Sequence, residues 1–412
     1  MMSFLHPKVN PSKHLGNELK YLKKVLASES WSATGGSWSN KLELEFAKLH
    51  SVKYAVAMNS GTATLHAALK AVGVGYGDEV ITPSLTVIMD TTAIIHANAI
   101  PVYVDIDEKT FNIDPNLIEK YITPKTKAII AVSIYGLPCD FTRIMEISRK
   151  HNIPVIEDNA QCLLSTWDGK LVGTFGDVSS WSFETTKHLS CGEGGIVTTN
   201  NEEYAETMRK FGGHGFKNLR AAEGRIKLNQ EVFQDPNYKR HDSLGWNYRL
   251  PEFNAAVALA QLERARELVD LRIASSGYFL DAMSSTQIFV PQTVSHRATH
   301  SYYTLGARYL GEELFGVTWQ SFRKLYLQEG GDGIYGAWSV PYQEPLIAEG
   351  IFKKANPSLY SNLEYTNGIS PVAERIQPQI MQFKTNYRNL RLAKNKAKIL
   401  AKVIRKIENK KI

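Results

Sequence analysis

From residue 51 to about residue 200 the chain alternates short apolar runs with amphipathic stretches, and this alternation restricts the fold more than any other feature. The runs YAVAM, EVITP, PVYVDI, KAIIAVS, PVIED, VSSWSF and GGIVTT have the length and the Val/Ile content of single buried strands. Segments between them, such as DPNLIEKYI and DFTRIMEISRKHN, place apolar residues at helical spacing. Strand–helix–strand repetition predicts the α/β class, with a mostly parallel central sheet and helices on both faces. Ligands of such sheets sit beyond the carboxyl ends of the strands. The residues just after each strand therefore bear most directly on function.

At 412 residues the chain has room for a second domain. Residues 213 to 245 are polar, charged and Gly-containing, and read as an exposed excursion. The stretch PEFNAAVALAQLERARELVDLRIASSG reads as one helix, with Pro251 placed for its first turn. It hands over near residue 265, giving a large domain over 1–265 and a smaller C-terminal α+β domain over 266–412. The tail YRNLRLAKNKAKILAKVIRKIENKK reads as a helix docked by an apolar stripe, its basic face in solvent.

Composition narrows the partners. The formal charge of +7 suits a small anionic substrate or simple solubility. No basic cluster is interleaved with aromatics, so no nucleic-acid partner is expected. No apolar run approaches the roughly 20 residues that span a bilayer, and MMSFLHPKVNPSKHLG lacks the apolar centre of a signal peptide. Cys139, Cys162 and Cys191 show no metal-ligand spacing and read as reduced thiols. The expectation is a cytoplasmic protein with no metal and no membrane partner.

Three segments carry chemistry. In NSGTATLHAALKAVG a strand runs into Ser60-Gly61-Thr62 and a helix begins, so free backbone N–H groups and the helix dipole offer a phosphate site. Taken alone this is also the signature of an ordinary helix cap. In PVIEDNAQ, Asp158 ends a buried strand, with Asn159 and Gln161 after it; a carboxylate there can pair with a protonated ring nitrogen, or simply make a turn. In SFETTKHLSCGEGG, Lys187 lies in a loop of small and polar residues after another strand. An amine becomes a strong nucleophile toward carbonyls when a pocket lowers its pKa, whereas a surface lysine does nothing of the kind. A phosphate cradle, a strand-end Asp and a loop lysine, in that order, are what pyridoxal phosphate requires.

These segments resemble the sugar aminotransferases of the DegT/DnrJ/EryC1/StrS group, a branch of the fold-type I pyridoxal phosphate enzymes. The resemblance runs from about residue 30 to 265, and more loosely to the end, through WSATGGSW, SGTATLHAAL, GVGYGDEVITPSLT, PVYVDID, YITPKTKAIIAVSIYG, IPVIEDNAQ, SFETTKHLSCGEGG and LGWNYRLPEFNAAVALAQLE. It implies that Lys187 holds the cofactor aldehyde as a Schiff base and shuttles the proton. It implies that Asp158 pairs with the pyridine nitrogen, that Gln161 touches the ring hydroxyl, and that Gly61, Thr62 and Ser182 hold the phosphate. In the family the Asn of the NYR motif, here Asn247, reaches the neighbouring subunit's phosphate, which implies a homodimer with shared sites. The implied reaction converts a nucleotide-linked keto-sugar to an amino sugar, with glutamate as donor. Tyr335, Trp338 and Tyr342, in DGIYGAWSVPYQEP, lie where the family approaches the sugar; the alternative is that they pack the two domains together.

Two features depart from the family. Val87 follows Thr86 where an aromatic usually stacks on the ring, and the stretch from Lys217 to Arg240 is longer than usual, so it could shape the substrate entrance. Two other functions remain open. Dehydratases of the same family carry histidine in place of the lysine, whereas here Lys187 is present and His188 follows it. A binding or regulatory protein could also use this scaffold.

Overall fold

The computed structural model describes residues 15–409. The seven apolar runs form one sheet: β1 (Tyr54–Met58), β2 (Glu79–Pro83), β3 (Ile100–Val104), β4 (Thr126–Val132), β5 (Val155–Asp158), β6 (Val178–Ser182) and β7 (Gly195–Thr199). Their spatial order is β1-β7-β6-β5-β4-β2-β3. Only β7 runs against its neighbours in this sheet; the pairs among β6, β5, β4, β2 and β3 are parallel. Every residue of β5 and β7 is buried, as expected for strands covered on both faces.

The alternation of side chains along each strand separates two apolar layers. Ile130 faces a core shared with helix α1 (Gly61–Ala71) and helix α2 (Met89–His96). Its neighbours Ile129 and Ala131 face the opposite core, where helix α3 (Phe141–His151) contributes Phe141, Ile144 and Ile147. These cores fix the sheet, and the sheet fixes which loops meet at its carboxyl edge.

The stretch expected to be one helix is two: α4 (Glu252–Leu262) and α5 (Ala265–Met283). Pro251 caps α4 rather than lying in its first turn. Neither proline nor glycine makes the break; Arg264 leaves helical geometry at φ −111°, ψ 12°. Ala255, Ala256 and Leu259 of α4 pack in the large domain together with Ala265, Leu268 and Val269 at the start of α5, while Phe279 and Met283 near its end pack in the small one.

The small sheet is antiparallel, with strands β8 (Phe289–Pro291), β9 (Leu305–Tyr309), β10 (Tyr335–Gly336) and β11 (Ile380–Phe383) in the order β8-β9-β11-β10. The basic tail forms helix α6 (Leu390–Glu408), which buries Ala393, Ala397, Leu400, Val403, Ile404 and Ile407 along one stripe. Between β10 and β11 the chain returns to the large domain, where Ile347, Phe352 and Tyr360 join the core beneath α1 and α2. Among the described residues no helix is long and apolar enough to cross a membrane.

Candidate active site

The ends of β5 and β6 and the start of α1 open on one cavity of about 360 Å³, lined by Gly61, Thr62, Asp158, Gln161, Ser182 and Lys187 among others. The Ser60 hydroxyl accepts the Ala63 N–H at 3.1 Å, so this serine is an ordinary N-cap. The N–H groups of Gly61 and Thr62 are then the open donors of the helix end at the cavity wall. Gly61 is dictated by proximity, because a Cβ there would come within 2.9 Å of the Ser182 Cβ. Gly195 has the same reason, with the Ser60 carbonyl oxygen 2.7 Å from where its Cβ would stand.

Asp158 is buried at the end of β5 and accepts the Ala160 N–H at 2.9 Å. Burial pushes its carboxyl up from the ordinary range, while the Ala160 N–H and the Lys187 charge oppose that rise. Gln161 accepts the Tyr135 N–H through Oε1 at 2.8 Å, which leaves its amide nitrogen as the group available to the cavity. Against Asp158 lies a second carboxyl that the sequence reading missed. Asp90, in the first turn of α2, is fully buried, lies beside Asp158, and accepts the Thr86 hydroxyl at 2.5 Å. An acid in the first turn of a helix is ordinarily a solvated partner of the helix dipole, so nothing in the sequence singled it out.

Lys187 is half-buried in the loop between β6 and β7 rather than standing on a solvated helix face. Its N–H bonds the Glu184 carbonyl at 3.0 Å, and the Glu184 carboxylate takes the Thr186 N–H at 2.9 Å and the Thr186 hydroxyl at 2.6 Å. Arg272 of α5 clamps the loop from behind, donating to the carbonyls of Thr186 at 2.8 Å and Lys187 at 3.1 Å. The Lys187 Nζ stands 4.6 Å from the centre of the Tyr303 ring, and the Tyr303 hydroxyl pairs with the Thr186 hydroxyl at 2.7 Å. Tyr303 also lines the cavity. Neither Tyr303 nor Arg272 was legible in the sequence, since tertiary packing alone brings them to the loop.

At the position where the family usually has an aromatic, Val87, Ile88 and Met89 give an aliphatic wall. Trp338, 58% exposed, stands at the seam between this cavity and an adjoining one of about 830 Å³. Tyr335 lines only the outer cavity. Tyr342 does not belong to a substrate wall. It is 1% exposed, bonds Glu374 through its hydroxyl at 2.6 Å and meets the Tyr103 ring edge-on at 5.1 Å, which is the packing role.

Asn247 is exposed and does not line the cavity of its own chain; its carbonyl accepts the Asn59 amide at 3.3 Å. His188 is buried against the Ser301 carbonyl at 3.1 Å and does not line the cavity. The excursion from Lys217 to Arg240 is an ordered unit. It is closed by the Lys217 N–H on the Arg240 carbonyl at 3.0 Å and tied to Thr34 through Ile226 at 3.2 Å. None of its residues lines the Lys187 cavity within the chain.

Pyridoxal phosphate fits this donor set. The helix end and the Ser182 hydroxyl suit a phosphate, the buried Asp158 carboxyl suits a ring nitrogen, and the Lys187 amine suits an aldehyde. Residues 13–315 match the DegT/DnrJ/EryC1/StrS aminotransferase family. The chain is 40% identical over 265 residues to the GDP-perosamine synthase of Caulobacter vibrioides, covering 64% of this chain and 66% of that protein. It is 36% identical to the spore coat polysaccharide biosynthesis protein SpsC of Bacillus subtilis, over 70% of this chain and 72% of that one. The match spans a little under two thirds of the length of the GDP-perosamine synthases, at 66% and 65%. Among solved structures, the aminotransferase from Psychrobacter cryohalolentis superposes with a TM-score of 0.82 at 29% identity, over 95% of this chain and 96% of that one. The sheet order, the cavity at its carboxyl edge and the family match over most of the chain converge on one assignment: the protein belongs to the DegT/DnrJ/EryC1/StrS aminotransferase family, whose cofactor is pyridoxal phosphate.

Proposed function

We propose that the protein is an aminotransferase that moves an amino group from glutamate to the keto group of a nucleotide-linked sugar, giving an amino sugar. The observation that carries this reading is the convergence of Lys187, Asp158, Gln161, Ser182 and the start of α1 on one cavity. When bound, pyridoxal phosphate supplies a carbonyl that captures amines and a ring that delocalises the electron pair left by a departing proton. Lys187 is positioned to accept a proton from the donor's α-carbon and return one on the other side of the reaction, as base and then acid. Asp158 would keep a proton on the ring nitrogen, Gln161 would hold the ring through its hydroxyl, and Gly61, Thr62 and Ser182 would hold the phosphate. Val87, Ile88 and Met89 line the cavity with an aliphatic wall that would exclude water beside a bound cofactor.

The sugar is assigned to the outer cavity, with Trp338 at its entrance and Tyr335 farther out. The relatives named GDP-perosamine synthase support a nucleotide-linked substrate, and SpsC supports polysaccharide as the product class. The exposure of Asn247, away from its own cavity, supports a homodimer in which it reaches the partner's phosphate site. The three cysteines, buried and joined by no disulfide, support a reducing, cytoplasmic setting. The dehydratase reading loses ground because His188 is held on the Ser301 carbonyl rather than at the cavity.

The test is to follow the two half-reactions separately. Glutamate should convert the bound cofactor to its amine form, and one member of a panel of nucleotide-linked keto-sugars should return it. Water loss from a sugar with no amine transfer would overturn the aminotransferase reading.

A further inference from the structure

Asp90 is in excess of what the proposed chemistry uses. It is fully buried, it lies against Asp158, and nothing in the roles assigned above needs a second carboxyl there. Its Oδ2 accepts the Thr86 hydroxyl at 2.5 Å, while its Oδ1, equally buried, has no hydrogen-bond partner. An unpaired carboxylate oxygen in a dry interior is costly, and two adjoining carboxylates cannot both remain charged there. One proton resolves both difficulties, because a protonated Oδ1 becomes a donor with the Asp158 carboxylate as its acceptor.

We propose that Asp90 is a positioning residue for Asp158, holding the proton of the carboxyl pair and donating it to Asp158 so that the negative charge stays on Asp158. The inference rests on Asp158 being the partner of the cofactor ring nitrogen. The surroundings decide which carboxyl is neutral. Asp158 at the end of β5 accepts the Ala160 N–H at 2.9 Å and has the Lys187 charge nearby, both of which favour its ionised form. Asp90 has the Thr86 hydroxyl and complete burial, and burial followed by the Asp158 charge holds its carboxyl well above the usual range. The groups facing the pair are thus Thr86, Asp158, the Ala160 N–H and Lys187.

The consequence is functional. Each donor to a carboxylate lowers its basicity. With Asp90 donating, Asp158 competes less well for the proton it shares with the ring nitrogen, and that proton rests on the ring. Removing the donor makes Asp158 more basic and draws the proton off the nitrogen.

The test uses full-length protein reconstituted with pyridoxal phosphate isotope-labelled at the ring nitrogen, whose nuclear magnetic resonance shift reports ring protonation without turnover. Wild type and Asp90→Asn should both give the protonated-ring position, because asparagine can donate to Asp158 and accept from Thr86. Asp90→Leu should shift toward the unprotonated position, and Asp158→Asn should shift fully. A wild-type signal from Asp90→Leu, with Asp158→Asn shifted, overturns the role of Asp90 alone. A wild-type signal from Asp158→Asn overturns the underlying assignment of Asp158. If Asp90→Leu does not fold, the infrared difference between wild type and Asp90→Asn decides. Loss of a protonated-carboxyl band supports the inference, and no lost band means Asp90 is ionised and overturns it.

Discussion

Replacing Arg272 by methionine should loosen the loop that carries Lys187 without touching the lining of the Lys187 cavity, although Arg272 does line the adjoining outer one. Methionine keeps much of the buried volume and the apolar stem, but it removes every donor. Arg272 donates to the carbonyls of Thr186 and Lys187, to the Tyr303 carbonyl and to the Thr385 hydroxyl. The Tyr303 carbonyl keeps a share of the Thr385 hydroxyl, 2.9 Å from it and 2.8 Å from the Tyr302 carbonyl. The Thr186 and Lys187 carbonyls therefore bear the loss. At roughly 1.5–3 kcal/mol for each hydrogen bond to a charged group, two such bonds come to about 3–6 kcal/mol. Removing a buried charge offsets part of this, leaving a net loss of about 2–4 kcal/mol. Because the lost bonds tie α5 to the loop, local opening should precede global unfolding. Amide hydrogen exchange of residues 184–192 in the cofactor-free protein should accelerate by about tenfold or more, and cofactor capture at Lys187 should slow. Arg272→Lys should recover part of both, since an ammonium offers fewer and less directed donors. Unchanged protection of this loop in Arg272→Met would refute the clamp.

The two aromatics Trp338 and Tyr342 should behave in opposite ways. Tyr342→Ala removes a buried ring and should cost about 3–5 kcal/mol of stability in urea unfolding, whereas Trp338→Ala should stay within about 0.5 kcal/mol and slow only the sugar half-reaction; loss of both half-reactions in Trp338→Ala would contradict this. Asp158→Asn should keep the fold and lose turnover by orders of magnitude, and near-normal turnover would remove the carboxylate from the mechanism. Mixing Lys187→Ala chains with Asn247→Asp chains should restore activity through heterodimers in which one site is intact; no recovery under demonstrated subunit exchange would place both residues in the same site from one chain.

How much of this was readable follows from where each residue sits. The seven strands were legible because each is a short, mostly buried apolar run, with PVIED and GGIVTT buried on both faces. Gly61, Asp158 and Lys187 were singled out because the end of a strand in such a sheet is a predictable place, Ser182 came from the family resemblance, and all four line one cavity. The break at Arg264 was invisible, since the apolar period runs through it and residues on both sides of it pack in the same large-domain core. Tyr303 and Arg272 were invisible for a related reason: they reach the Lys187 loop by packing of the small domain. Tyr342 was misplaced as a candidate for the sugar because an aromatic-rich stretch does not reveal which ring faces inward. Here Tyr342 is buried and Trp338 is exposed.

The central claim is that Lys187 carries the cofactor. Borohydride reduction of the reconstituted protein, followed by peptide mapping, tests it most directly. The account predicts a pyridoxyl group on the peptide containing Lys187, and loss of that label together with the visible chromophore in Lys187→Ala. A pyridoxyl group on any other lysine, or no reducible chromophore after incubation with pyridoxal phosphate, would contradict it.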